Sequence, residues 1–209
     1  MLLQIDQQLC SCASSSGVCD DRCQNRTLQQ ECTLSNCSCG PSACRNRPFA
    51  QLHASGPLPL QLIKTERKGW GVKTTKFIEI GKLVVEYVGE VIDRESWEER
   101  KEGLGRFDHM YFMALNHAEI VDASRRGNIA RFINHSCSPN LTVEKWYINR
   151  APRLGLFAKT AICAGEELSY NYAMKWFGDP EFAQRCHCGS TNCTGYLGPP
   201  PRTSSSPAG

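Results

Sequence analysis

Arg131-Phe132-Ile133-Asn134-His135-Ser136-Cys137-Ser138-Pro139-Asn140 is a polar stretch with an Asn-His-Ser run at its centre. Such a run, once buried, must satisfy every donor and acceptor it carries. By composition it is a loop, preceded by one or two helical turns over Asn128 to Ile133, and a lone histidine in a loop is more often structural than catalytic. Downstream, Gly165-Glu166-Glu167-Leu168-Ser169-Tyr170-Asn171-Tyr172 is a turn feeding a strand. Its two tyrosines have period-two spacing and so point to one face; in isolation that is ordinary aromatic packing. Upstream stand Glu86-Tyr87-Val88-Gly89-Glu90 and Lys68-Gly69-Trp70-Gly71. The latter opens like a dinucleotide fingerprint, but the third glycine is missing and no strand–turn–helix unit surrounds it, so it is expected to be a Gly-rich turn.

Short runs rich in β-branched, aromatic or alternating residues surround these motifs: Leu60–Ile63, Lys82–Tyr87, Tyr111–Leu115, Leu141–Trp146 and Gly155–Ala158. Asp93 to Lys101 is expected to be helical, with Asp93 as its cap. Neither alternating strand–helix units nor internal repeats occur, so the fold class is α+β, β-rich, built of small sheets. Gly56-Pro57-Leu58-Pro59 is a connector. The tail Pro199–Gly209 is of low complexity and expected to be disordered. The divisions are therefore 1–55, 56–173, 174–198 and 199–209.

Lys+Arg number 24 and Asp+Glu 21, a balance too even to argue for nucleic-acid binding by itself. No apolar run is long enough to cross a membrane, and the first six residues lack the basic start and apolar stretch of a signal peptide. Of 13 cysteines, eight fall between Cys10 and Cys44, three are Cys186, Cys188 and Cys193, and the others are Cys137 and Cys163. The count is odd, and C-x-C pairs set two thiols on one short loop, which suits a shared metal better than separate bridges. Residues 1–48 have too few apolar side chains for a core, as in segments that fold around zinc. A RING-type arrangement would need C-x2-C pairs with interleaved histidines, and neither occurs.

In this order, K-G-x-G, E-Y-x-G-E, R-F-x-N-H-S-C and G-E-E-L-x-[FY]-x-Y resemble the signature of SET-domain lysine methyltransferases, from Lys68 to Tyr172. The resemblance implies a SET fold with a C-terminal pseudoknot, flanked by zinc-bound loop segments. Cys186, Cys188 and Cys193 are similar to a post-SET zinc segment completed by Cys137. The N-terminal cluster is similar to an AWS or pre-SET element, which maps one ion onto Cys10, Cys12, Cys19 and Cys23 and another onto Cys19, Cys32, Cys37 and Cys44, about three zinc ions in all. Cys39 is then extra, and the run Cys37-Ser38-Cys39-Gly40-Pro41-Ser42-Ala43-Cys44 resembles in part the pre-SET element of enzymes acting on lysine 9 of histone H3. Tyr111–Leu115 and Cys193–Gly198 look nearest to enzymes acting on lysine 36.

The resemblance further implies S-adenosylmethionine as cofactor, held by Lys68, Gly69, Trp70, His109, Met110, Tyr111, Asn134, His135 and Gln184. It gives catalysis to Tyr172, Tyr111 and Tyr170. A free lysine has a pKa of about 10.4, so a narrow apolar channel must favour the neutral amine, and positioning and desolvation carry the reaction. A nuclear, chromatin-bound monomer acting on a histone tail or nucleosome is expected, with mono- or dimethyl-lysine as product. Arg45, Arg47, Arg125 and Arg126 are candidates for weak contact with nucleosomal DNA, against a plainly solvated surface. A non-histone substrate, or an inactive zinc-dependent chromatin-binding module, are the competing readings.

Overall fold

The structure, a computed structural model, describes residues 9–56, 58–103, 110–173 and 184–198. Four small sheets carry the site. Strand β1 (Leu60–Lys64) pairs antiparallel with β2 (Trp70–Thr74). Strands β3 (Leu83–Glu86), β9 (Ala151–Ala158) and β8 (Leu141–Ile148) form a second antiparallel sheet in the order β3-β9-β8. Strands β4 (Gly89–Asp93), β6 (Glu119–Gly127) and β5 (Phe112–Ala114) form a third in the order β4-β6-β5. The fourth is parallel: β7 (Asn134–His135) lies beside β10 (Ser169–Tyr170), with Tyr170 opposite His135. This pairing brings the two most informative motifs together, as the pseudoknot expectation requires.

The expected strands occur with small shifts at their ends. Among the elements not expected are the strands β2, β4 and β6 and the helix Pro48–Ser55. In β6 the residues Ile120, Val121, Asp122 and Ala123 are all buried in succession, so no period-two alternation marks the strand. The charge in that run is Asp122, which is 2% exposed and accepts a hydrogen bond from Arg100 at 2.6 Å. Strand β4, Gly-Glu-Val-Ile-Asp, is short and hides among its own polar residues. The stretch Lys68–Gly71, expected to be only a turn, is a turn entering a strand: Gly69 has φ +73, and Gly71 sits within β2.

The helix Pro48–Ser55 has no local cap; its cap comes from elsewhere. The Glu31 carboxylate accepts from Phe49 N at 3.0 Å and Ala50 N at 2.9 Å, although burial pushes its pKa upward. Phe49 from this helix enters an aromatic cluster with Trp146 and Phe157, the latter two stacked at 5.6 Å. The cysteine-rich segment is also tied to β8, through Tyr147 N to Gln29 O at 2.8 Å and Glu31 N to Tyr147 O at 3.0 Å. It is thus anchored to the sheets by backbone bonds and one aromatic plug.

The helix Arg94–Glu102 forms as expected, with Asp93 accepting from Ser96 N at 2.9 Å. The Ser96 hydroxyl first, and then its N–H, hold the Asp93 carboxyl below its ordinary range. Asp93→Ala is expected to lower the melting temperature by roughly 2–4 °C, the usual effect of a lost cap in a domain of this size. A thermal melt with no change would show that this helix is held by packing alone.

Candidate active site and cysteine clusters

Four tyrosines converge behind the Asn134–Cys137 turn. The rings of Tyr170 and Tyr172 lie 4.8 Å apart, on one side of the chain as their spacing requires. The Tyr172 hydroxyl donates to Ile133 O at 2.9 Å, and its backbone N–H donates to His135 Nδ1 at 3.1 Å. Tyr87 donates from its hydroxyl to Tyr111 O at 2.9 Å, while the Arg131 guanidinium stacks 3.9 Å over the Tyr111 ring. Burial first, then the neighbouring Tyr87 and Tyr111, push the Tyr172 pKa well up. Tyr170 is raised by the same burial. Both phenols therefore keep their protons at neutral pH, and that of Tyr172 donates.

His135 is 6% exposed. Its Nδ1 accepts a hydrogen bond, so the proton sits on Nε2, which faces Cys137 Sγ at 3.5 Å. Burial lowers its pKa and keeps the ring neutral. The same side chain thus links the Tyr172 backbone to a thiol, as the outer partners of a metal ligand commonly do.

On the other side of the turn, Asn134 Nδ2 donates to Trp70 O at 3.1 Å and Glu167 Oε1 at 3.0 Å. Lys68 Nζ donates to both Glu167 oxygens at 2.9 Å. Asn140 staples the two motifs together: its Nδ2 donates to Glu166 Oε1 and Glu167 O, both at 2.9 Å, and its Oδ1 accepts from Ser169 N at 2.9 Å. Trp70 and Met110 are exposed at the rim. Gln184 opens the C-terminal cysteine segment, its carbonyl accepting from Leu197 N at 2.9 Å. His109 lies outside the described residues.

The sequence assigned no role to Tyr87, Asn140 or Glu167. Each stood inside a quoted motif, and the available signal was a polar side chain in a strand or turn otherwise destined for burial.

Seven cysteines, Cys10, Cys12, Cys19, Cys23, Cys32, Cys37 and Cys44, are buried as one cluster, with Cys39 packed against it. Two quartets within it could hold a metal ion, Cys10/Cys19/Cys23/Cys32 and Cys19/Cys32/Cys37/Cys44, each with all sulfurs within 4.8 Å of one another. Cys137, Cys186, Cys188 and Cys193 make a third. Sulfur separations of 3.5 Å (Cys10–Cys19), 3.6 Å (Cys19–Cys37), 3.9 Å (Cys137–Cys186) and 4.0 Å (Cys137–Cys193) bracket the ~3.8 Å edge of a tetrahedron with zinc–sulfur bonds of about 2.3 Å. The all-thiol donor sets fit zinc.

The second quartet is the one the resemblance implies, and beside the first the Cys12 sulfur also lies against Cys10, Cys19 and Cys23, so Cys12 and Cys32 both adjoin those three thiols. Cys32 also receives the buried Asn46 and Asn25 amides, at 3.3 and 3.5 Å. Arg47 is half-buried, with its Nε and Nη2 beside Cys37 and Cys44, where a cation offsets the charge of thiols; Arg45, Arg125 and Arg126 are exposed.

This construction places the chain among SET-domain proteins: the SET domain model matches residues 69–173, and the chain belongs to that family. It is 42% identical over 185 residues to a histone-lysine N-methyltransferase, H3 lysine-36 specific, of Chaetomium globosum, covering 86% of this chain and 20% of that protein. It is 41% identical over 195 residues to the human histone-lysine N-methyltransferase SETD2, covering 92% of this chain and 7% of that protein. The chain thus spans a fifth or less of these relatives. Among solved structures, the methyltransferase domain of human histone-lysine N-methyltransferase SETMAR superposes with a TM-score of 0.69 at 33% identity, covering 82% of this chain and 67% of that one.

Proposed function

We propose that the chain transfers a methyl group from S-adenosylmethionine to a protein lysine, with lysine 36 of histone H3 as the favoured target. The observation that carries this reading is the tyrosine group: the protonated phenols of buried Tyr170 and half-buried Tyr172, ring centres 4.8 Å apart, with Tyr172 held against the Asn134–Cys137 turn by the Ile133 carbonyl and His135. The names of the relatives support both the reaction and the histone, and with them a place at chromatin in the nucleus.

The residues present fit the cofactor. Gly71 leaves a cradle that a side chain would fill, since a Cβ there would stand 2.9 Å from Glu167 Oε1 and 3.0 Å from Asn134 Nδ2. Lys68, Gly69, Trp70, Asn134 and His135 would hold its amino-acid and adenine ends, with Met110, Tyr111 and Gln184 closing the pocket. When bound, S-adenosylmethionine supplies an electrophilic methyl group. The chain's own work is to desolvate and aim the incoming amine. The aromatic walls disfavour its charged form, and Tyr172, kept protonated, orients it for in-line approach. The three thiol quartets would hold structural zinc, with no part in the chemistry.

The test is incubation with recombinant nucleosomes, read by mass spectrometry, beside nucleosomes whose H3 lysine 36 is arginine. Methyl incorporation that survives the replacement would move the target elsewhere.

Tyr170 bears on how many methyl groups are added. It is buried, 8% exposed, and borders the space reached by Tyr172. A hydroxyl there binds water or the amine, and a further methyl must displace that partner without replacing its hydrogen bonds. The product should therefore stop at mono- or dimethyl-lysine. Tyr170→Phe should shift the end product upward with little change in the first transfer, in a time course resolving the three states. Efficient trimethylation by the unaltered chain would refute this.

A further inference from the structure

We infer that Glu167 is a positioning residue that decides which end of the Asn134 amide faces the cofactor, and thereby selects a ligand bearing a free ammonium group. The inference rests on the proposed use of S-adenosylmethionine. An asparagine amide can face a ligand with its oxygen or its nitrogen, and the two choices recognise opposite chemistry. Here the neighbours decide. Nδ2 lies 3.1 Å from Trp70 O and 3.0 Å from Glu167 Oε1. Both are acceptors, so both amide hydrogens are taken up. Turning the amide over would set its oxygen against a carbonyl and a carboxylate, two repulsive contacts in place of two bonds. Oδ1 is left as the outward atom, an acceptor suited to an ammonium donor.

Glu167 can impose this because it is itself held. Lys68 Nζ grips both of its oxygens at 2.9 Å. The pair is only partly exposed, 22% for Lys68 and 28% for Glu167. The Glu167 backbone is fixed as well, its carbonyl accepting from Asn140 at 2.9 Å. Gly71 completes the arrangement, since any side chain there would press on Glu167 and Asn134 together. The Lys68 side chain, from the turn before β2, thus acts on the ligand through Glu167 and Asn134, while neutralising a carboxylate that would otherwise bind the ammonium unselectively.

The experiment compares two ligands by calorimetry on the full zinc-loaded chain. S-adenosylhomocysteine carries the amino-acid end; 5′-methylthioadenosine has the same nucleoside and thioether but no ammonium. Glu167→Ala should weaken S-adenosylhomocysteine about tenfold and leave methylthioadenosine within roughly twofold, which also shows that the pocket is still folded. Glu167→Gln keeps an acceptor toward Asn134 and should retain most of the affinity for S-adenosylhomocysteine. Equal losses for both ligands, or none for S-adenosylhomocysteine, would overturn the inference and leave the methyltransferase reading intact. An unaltered chain that binds neither nucleoside would overturn both.

Discussion

Removing metal from this chain is expected to unfold its N-terminal segment outright. From residue 9 to residue 46 every buried apolar side chain is a cysteine, so without ions that segment has a core of thiols and little else. A structural zinc contributes on the order of 10–16 kcal/mol to folding in small peptides, as much as the whole net stability of a typical domain, about 5–15 kcal/mol. The damage should spread. Glu31 caps the helix Pro48–Ser55, and Gln29 and Glu31 pair with Tyr147, so loosening the segment frees Phe49 from its aromatic cluster. The C-terminal quartet includes Cys137, adjacent to the His135–Tyr172 contact, so the candidate active site should loosen too. Elemental analysis should give about three zinc ions per chain. A strong chelator should abolish the cooperative melt and the methyl transfer together. The sharing of Cys19 adds a finer test: Cys19→Ser should cost both N-terminal ions. A metal-free chain with an unchanged melting temperature would end the zinc assignment.

Tyr172→Phe is expected to slow methyl transfer by about 10²-fold, roughly 3 kcal/mol of transition-state stabilisation, while cofactor binding stays near normal. Only a hydroxyl is removed. In the resting protein that hydroxyl donates to Ile133 O at 2.9 Å, so the structural cost is one hydrogen bond, about 1 kcal/mol. The two effects separate cleanly: the melting temperature should fall by a few degrees, whereas single-turnover rates should fall far more. The Tyr172–Tyr170 ring contact and the Tyr172 N–H bond to His135 do not involve the hydroxyl and should persist. Near-normal turnover would remove Tyr172 from its assigned role and leave it as a packing residue.

What the sequence determined by itself is what depends on near neighbours. The cap at Asp93 is one case, because a carboxylate three residues before an amide needs nothing distant. The helical turn expected over Asn128 to Ile133 is another; it forms as Ile129–Phe132, with the Asn128 side chain accepting from Ala130 N at 3.1 Å. The shared face of Tyr170 and Tyr172 follows from strand periodicity, and the gathering of thiols into metal-sized groups from their spacing. Which thiols converge was not determined. Closing a loop costs nearly the same over a range of lengths, so chain spacing does not by itself pick the sulfurs of each group; the buried Asn25 and Asn46 amides that contact Cys32 belong to the folded segment. The helix Pro48–Ser55 needed a cap from Glu31, the strand Glu119–Gly127 needed Arg100 to donate to its buried Asp122, and Arg47 lies against thiols that only the folded segment gathers. The orientation of the Asn134 amide depends on Glu167, 33 residues further along the chain. Bonds at that range exist only after the parallel pairing of Asn134–His135 with Ser169–Tyr170 has formed, and that long-range closure is a property of the tertiary structure, which no local pattern of side chains encodes.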